Sequence, residues 1–249
     1  MNPSDQKIGL LRTSWIILAS LAVTANTCIL AIIKRLQGKV PRQWVDATMQ
    51  RWTKRVLRLV RVHLTIKNPH QVKPQKGQPT IIMCNHSSLY DIPLSFAAFP
   101  TTSIRMLAKI ELSRIPLFGS AMRAGEFPFI DRKNRHQAIK DLKAVHTALQ
   151  QGIVLWMAPE GTRTNDGQLS AFKKGGFITA IETKATIIPI GIRGASGILP
   201  ARTLHYHLNQ SVDIHIGQPI DASTHTLEHK DVLMNQVHAS MRQLLGETD

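Results

Sequence analysis

The amino-acid sequence predicts an α/β fold with a central, mostly parallel sheet flanked by helices, preceded by a pair of membrane-associated N-terminal helices. Three observations predict it: β-rich runs alternate with helical patterns beyond His63, an uncharged stretch runs from Thr13 to Ile33, and a basic amphipathic segment follows that stretch. Such alternation is typical of a parallel sheet covered by helices. We therefore expect a helical pair over residues 1–61 and an α/β domain over residues 62–249.

The first predicted element is the uncharged stretch, which as a helix would be about 30 Å long, the thickness of a bilayer core. A polar stripe runs along one face of this helix, formed by Thr13, Ser20, Thr24 and Thr27. The stripe suits an interfacial helix or a span packed on a neighbour, and the sequence leaves that choice open. A cleavable signal peptide and a buried core helix are the alternatives.

The second predicted element, Trp44 to Arg61, is a basic amphipathic helix. Its apolar face holds Val45, Met49, Trp52, Val56, Leu59 and Val60, and its opposite face holds Arg51, Lys54, Arg55, Arg58 and Arg61. Directly after an apolar run, such a helix is expected to lie on anionic lipid headgroups, although an ordinary surface helix would show the same pattern. If the first helix spans, the basic residues after it (Lys34, Arg35, Lys39, Arg42) predict a cell-membrane protein with the rest of the chain on the cytoplasmic face.

The remaining elements form the predicted body. The expected strands are Val62 to Ile66, Thr80 to Cys84, Ile104 to Ala108, Phe127 to Ile130, Gly152 to Met157, Ile187 to Ile192 and Val212 to Ile216. The clearest helices are Arg135 to Gln150, Lys174 to Thr183 and Leu227 to Leu245.

Composition and charge exclude several classes of protein. The chain has 249 residues, 43% of them hydrophobic, so it is not a disordered chain. Its two cysteines, Cys28 and Cys84, lie far apart, so neither a disulfide scaffold nor a zinc ribbon is expected. The formal net charge is +15, and residues up to Asn85 carry 14 Lys+Arg against two acids, so +12 of it lies there. A body of +3 in a chain with two tyrosines does not suggest nucleic acid as a partner.

Two segments that follow predicted strands could carry chemistry. In Asn85-His86-Ser87-Ser88-Leu89-Tyr90-Asp91, a carboxylate in the first turn of a helix would orient His86 as a general base. Ser88 and Asp91 also match a capping box, which is the structural alternative. In Ala158-Pro159-Glu160-Gly161-Thr162-Arg163, a Gly-Thr turn and a guanidinium group could hold an anion. No G-x-S-x-G elbow surrounds Ser87 or Ser88, so a serine hydrolase is disfavoured.

Taken together, four ordered blocks resemble the glycerolipid acyltransferases, specifically the 1-acyl-sn-glycerol-3-phosphate acyltransferase family. The blocks are Asn85 to Asp91 (N-H-x4-D), Phe127 to Arg132 (ending in D-R), Pro159 to Arg163 (E-G-T-R) and the apolar Ile187-Ile188-Pro189-Ile190. Two departures are visible. Ala158 stands where the family usually has an aromatic residue, and Gly125 lies one residue further from Arg132 than is usual.

The resemblance implies transfer of an acyl group from acyl-CoA or acyl carrier protein to the sn-2 hydroxyl of lysophosphatidic acid, which gives phosphatidic acid. It implies direct transfer without an acyl-enzyme, cofactor or metal, with membrane lipids as partners. His86 and Asp91 would be catalytic, and the residues implied in substrate binding are Lys109, Arg132, Glu160, Gly161, Thr162 and Arg163.

Three other functions stay open from the sequence. Within the same family, the acceptor could be glycerol-3-phosphate or another lysolipid, such as a lyso-ornithine lipid. A basic nucleic-acid-binding protein is a remote alternative. A metal hydrolase using some of the 11 histidines is the third, although no H-E-x-x-H run occurs.

Overall fold

A computed structural model describes residues 8–131, 134–164 and 168–247. The helices are α1 (Leu10–Leu36), α2 (Arg42–Leu59), α3 (Asp91–Ala98), α4 (Phe118–Ala124), α5 (Arg135–Gln150), α6 (Gly175–Glu182), α7 (Ala195–Ile198) and α8 (Lys230–Leu245). The strands are β1 (His63–Lys67), β2 (Thr80–Cys84), β3 (Ile104–Met106), β4 (Ala108–Lys109), β5 (Phe129–Ile130), β6 (Val154–Met157), β7 (Thr186–Arg193), β8 (Ser211–Ile216) and β9 (Ile220–Asp221).

The central sheet has the strand order β1-β8-β7-β2-β6-β3, with β9 on β7. The pairs β1–β8, β2–β7, β2–β6 and β3–β6 are parallel, whereas β8 and β9 pair with β7 in the antiparallel sense. The predicted α/β class with a mostly parallel sheet is therefore confirmed.

Alternate residues of the central strands face two separate hydrophobic clusters. Ile82 and Trp156 join one cluster, which packs against α1, α2 and α3, while Ile81 and Leu155 join the other, beneath α5, α6 and α8. Because side chains alternate along a strand, a strand buried on both faces is apolar throughout. All five residues of β2 are buried, as this arrangement requires.

Helices α1 and α2 form a hairpin packed on the body. Trp52 Nε1 of α2 donates to Thr24 Oγ1 of α1 (3.1 Å), so this member of the predicted polar stripe on α1 faces the neighbouring helix. The predicted amphipathic pattern of α2 is confirmed, because Val45 and Val56 are buried while the basic residues of the opposite face are exposed. Helix α1 is long and apolar enough to cross a membrane, and only 17% of its apolar window is buried within the structure.

An ion-pair network around the buried Arg105 fastens this hairpin to the body. Arg105 of β3 is fully buried and donates through Nη1 to Asp46 of α2 (2.8 Å) and through Nε to the carbonyl of Gly125. Arg42 of α2 binds both carboxylate oxygens of Glu126 at 2.8 Å. The start of α2 is therefore tied to the turn that precedes β5. The hairpin and the body also share a hydrophobic cluster, so they are packed together. The predicted boundary between two domains at residue 61 stays a prediction.

Several elements differ from the predicted ones, and the short elements α7 and β9 were not predicted. The single strand expected over Ile104 to Ala108 is two, because the chain leaves β3 at Met106 and pairs β4 with β5 in a separate two-stranded sheet. The strand expected over Phe127 to Ile130 is shortened to Phe129–Ile130. Helix α4 was not predicted, because its seven residues are too few to show a helical period.

Candidate active site

The register of the central strands brings the two predicted motifs together. In the parallel pair β2–β6, Met83 lies opposite Met157. His86 follows Met83 by three residues and Glu160 follows Met157 by three, so both segments leave the sheet at the same carboxyl edge. Open α/β sheets bind their ligands at this edge.

The imidazole of His86 is held by the carboxylate of Asp91. His86 Nδ1 lies 2.8 Å from Asp91 Oδ2; the Asp91 side chain is fully buried, and 18% of the His86 side chain is exposed. A carboxylate against Nδ1 favours the tautomer that carries the proton there, which leaves Nε2 as the basic atom. The ring also meets the edge of Trp156, with centroids 6.1 Å apart, and this contact restricts its rotation.

The same carboxylate oxygen organises the turn before α3. Asp91 Oδ2 accepts from the backbone N–H groups of Ser87 (2.7 Å) and Ser88 (2.8 Å) as well as from His86. The capping box anticipated at Ser88 is therefore half formed, because Asp91 reaches back to the Ser88 N–H while Ser88 Oγ donates to Leu199 O (2.9 Å). Capping and imidazole orientation are two uses of one side chain.

Glu160 fixes the backbone of His86 rather than its ring. Glu160 is buried, Oε1 accepts from the N–H of His86 (2.8 Å), and Oε2 accepts from the N–H of Ser170 (2.9 Å). The N–H of Thr164 donates to His86 O (2.8 Å), so both backbone groups of His86 are bound by this region. Burial raises the pKa of the Glu160 carboxyl, and the two backbone donors oppose that rise. The arrangement suits a residue that positions the base.

The turn that contains Gly161, Thr162 and Arg163 lies beside His86. Gly161 has a positive φ of 75°, and its N–H donates to the carbonyl of Ala158 (3.1 Å). That N–H is therefore engaged within the turn. Arg163, immediately before Thr164, is partly exposed and forms no ion pair within the described residues.

Of the two remaining predicted substrate-binding residues, Lys109 lies on the β4–β5 sheet. Lys109 is exposed and pairs in register with Ile130, two residues before Arg132. Arg132 itself lies outside the described residues. The structure thus brings His86, Asp91 and the 160–163 turn together, and the described contacts do not join Lys109 to that group.

The neighbouring nucleophiles are buried. Cys84 ends β2 with no exposed surface, and burial, with the charges of Asp91 and Glu160, raises the pKa of its thiol well above its ordinary value. Ser88 is also fully buried and directs its hydroxyl at Leu199. Neither side chain is placed to form an acyl-enzyme.

The sequence did not reveal the supporting contacts. Asn85 Oδ1 accepts from Ile192 N (2.8 Å) and its Nδ2 donates to Ile192 O (2.9 Å), so it ties the segment after β2 to β7. Ser170 binds Glu160 from outside every motif. The partners of Asn85 and Ser170 are backbone groups, and a backbone group carries no residue-type signal. Within the described ranges, no group of three His, Cys, Asp or Glu residues could hold a metal ion.

Fold and site together define an α/β protein that holds a histidine against a buried carboxylate, with buried Ser and Cys neighbours and an arginine-bearing turn, at one edge of its sheet. The profile of the Acyltransferase family matches residues 63–193, more than half of the chain, and the chain belongs to that family.

Sequence similarity to individual proteins supports this membership. The chain is 28% identical over 170 residues to the chloroplastic 1-acyl-sn-glycerol-3-phosphate acyltransferase LPAT1 of Arabidopsis thaliana, covering 68% of this chain and 46% of that one. It is 26% identical over 202 residues to the alpha form from Mus musculus, covering 78% and 70%. The chain thus spans about half the length of several curated relatives.

A solved structure shares the fold. The crystal structure of the 1-acyl-sn-glycerophosphate (LPA) acyltransferase PlsC from Thermotoga maritima matches with a TM-score of 0.79 and 22% identity, covering 96% of this chain and 95% of that one. The match includes the hairpin, since it covers nearly the whole chain.

Proposed function

We propose that the protein transfers an acyl group from a thioester donor to the sn-2 hydroxyl of lysophosphatidic acid, which gives phosphatidic acid. The observation that carries this proposal is the His86–Asp91 pair, which leaves Nε2 as a base at the sheet edge while Cys84 and Ser88 are buried. Such a site activates a hydroxyl of its substrate. Several relatives are named as acylating this acceptor.

The reaction then needs one base and no acyl-enzyme. Nε2 of His86 removes the proton of the sn-2 hydroxyl while the oxygen attacks the thioester carbonyl. The tetrahedral intermediate collapses, the ester forms, the carbon–sulfur bond breaks, and the imidazolium returns the proton to the departing thiolate. Asp91 stabilises the imidazolium during this sequence, as a buried carboxylate on Nδ1 does.

The phosphate of the acceptor is assigned to the cationic side chains predicted for this site. Arg163 is partly exposed beside the His86 segment, and its fork matches a phosphate. Lys109 and Arg132 are proposed to complete the set. Glu160, Gly161 and Thr162 shape the turn that presents Arg163.

The oxyanion is assigned to the same turn. The N–H of Gly161 already donates to Ala158, so the donors are proposed to be the N–H groups of Thr162 and Arg163. Backbone donors in a fixed turn stabilise a developing oxyanion without moving.

The hairpin is proposed to hold this site at a cell membrane. Acceptor and product are both membrane lipids, and α1 exposes large apolar side chains while α2 exposes basic ones. The basic residues that follow α1 favour the cytoplasmic face for the body. Acyl-CoA and acyl carrier protein are the two donors to be tested.

The test is an acyl-transfer assay on the purified full chain. Labelled acyl-CoA species of different chain lengths, and the matching acyl carrier proteins, are offered with lysophosphatidic acid, with glycerol-3-phosphate and with a lyso-ornithine lipid. Labelled phosphatidic acid from wild type and none from His86→Ala supports the proposal. Label that enters one of the other acceptors, with lysophosphatidic acid left unchanged, overturns it.

A further inference from the structure

A groove between α1 and α2 collects four arginines that the proposed reaction does not use. It has a volume of about 440 Å³ and is lined by Arg12 of α1 and by Arg55, Arg58 and Arg61 at the end of α2. All four side chains are exposed. None of them forms an ion pair within residues 8–131, 134–164 and 168–247.

Among the residues that the structure describes, none supplies an anion to this groove from its own neighbourhood. No Asp or Glu occurs between Asp46 and Asp91, and Asp46 is already bound to Arg105 on the inner side of α2. Like charges three or four positions apart on a helix repel each other, as Arg55 and Arg58 do here. An anion from outside the chain would remove that repulsion.

The other wall of the groove is apolar. Trp15, Ile16 and Val23 of α1 line it opposite the arginines. Beside them, Leu11 and Leu18 of α1 are 91% and 65% exposed. A ligand that fits both walls carries an anionic group and an apolar chain together, which describes a lipid better than a free anion.

We propose that this groove is a discrete site for a glycerophospholipid with a phosphate monoester headgroup, separate from the acceptor site at His86. A monoester offers three terminal oxygens to the guanidinium forks, whereas a diester offers two. The acyl chains lie along the apolar wall of α1. The site is built from α1 and α2, and none of the residues around His86 lines it.

The experiment measures binding of the full chain to vesicles, without any acyl donor. Phosphatidylcholine vesicles contain either phosphatidic acid or phosphatidylglycerol, in fractions that give equal zeta potentials. If the groove is such a site, wild type should bind the phosphatidic acid vesicles at least about fivefold more tightly than the phosphatidylglycerol vesicles. Because no turnover occurs, this result does not depend on the proposed enzymatic function.

Lys54 provides the matched control, since it is exposed on the same face of α2 and does not line the groove. Lys54→Ala should weaken binding about fivefold to both kinds of vesicle, the effect of one surface charge. Arg58→Ala should weaken binding to phosphatidic acid vesicles by about tenfold or more and to phosphatidylglycerol vesicles by about fivefold.

Arg58→Lys keeps the charge and tests the need for the paired N–H donors of a guanidinium group. It should bind phosphatidylglycerol vesicles as wild type does and lose part of the preference for phosphatidic acid. The proposal is overturned if wild type shows no preference at equal zeta potential, or if Arg58→Ala and Lys54→Ala have the same effect on both vesicles. Release from phosphatidic acid vesicles by inorganic phosphate, but not by chloride at equal ionic strength, would mean that the groove binds free phosphate, and overturns the lipid assignment.

Discussion

The site at the sheet edge and the outer face of the hairpin both contain several charged side chains, which differ in how far the chain itself supplies their partners. At the sheet edge, Asp91 accepts three hydrogen bonds and Glu160 accepts two, all from the chain itself. On the outer face of α2, Arg55 and Arg58 are exposed with no ion pair among the described residues.

This difference separates charged side chains that stabilise the fold from charged side chains that are available to bind a ligand. A buried carboxylate without donors would destabilise the fold, so its partners must be part of the structure. An exposed arginine costs little when it is unpaired. Helix α2 shows both cases, because its inner side carries Arg42 and Asp46 in a network with Arg105 and Glu126.

The largest expected effect is at the base. His86→Ala removes proton abstraction, so we expect kcat to fall by about 10²–10⁴. The expected change in KM for the acceptor is small, because the imidazole does not contact the phosphate in the proposed mechanism. Steady-state kinetics checks both constants. The exposed loop residue His70, replaced by alanine, is the control; equal activity in His86→Ala and wild type contradicts the assignment of the base.

The inner and outer arginines of the hairpin region should differ in their effect on stability. Arg105→Ala leaves Asp46 without its buried partner, so we expect unfolding to require about 3–5 kcal/mol less. Arg58→Ala should change the free energy of unfolding by less than about 0.5 kcal/mol, as exposed substitutions do. Urea titration of the two variants measures this contrast, and similar losses in both would remove the distinction between inner and outer charges.

At the turn, Arg163→Ala should act on acceptor binding. Loss of a charged hydrogen bond to phosphate costs about 1.5–3 kcal/mol, so KM for lysophosphatidic acid should rise by about 10- to 100-fold while kcat changes less. Lys143→Ala, which removes an exposed charge from α5, is the control. An unchanged KM would place the phosphate away from Arg163.

The features that could be predicted from the sequence are those determined by residues close together in the chain. The apolar run of β2, the helical period of α5 and the opposed faces of α2 each follow from neighbouring residues, and their positions were close to those observed. The pairing of His86 with Asp91 was predictable for the same reason, since both belong to one turn.

What the sequence could not predict depends on strand register and on backbone partners. That Glu160 binds the N–H of His86 follows from Met83 lying opposite Met157, a pairing between residues distant in the chain. The network of Arg105 was missed because a single arginine in a β-rich run is usually exposed. Its burial is decided by Asp46, far away in the sequence.

The smallest expected effect concerns Glu160 and its pH dependence. Burial raises the pKa of this carboxyl, so the folded protein binds a proton there more readily than the unfolded chain does. The contribution of Glu160 to stability should therefore be full below the ordinary pKa of 4.5 and decline as pH rises from there through the raised pKa of the folded protein.

Glu160→Gln isolates this contribution, because the cost of placing an amide against the N–H groups of His86 and Ser170 is the same at every pH. Urea unfolding of wild type and variant between about pH 4 and about pH 7 should show the wild-type advantage shrinking as pH rises. An advantage that grows with pH would mean that the two backbone donors outweigh burial. Glu160 would then be stabilised as an anion by the chain, as a carboxylate at a helix N-cap is, and its charge would belong with the fully compensated charges of the sheet edge.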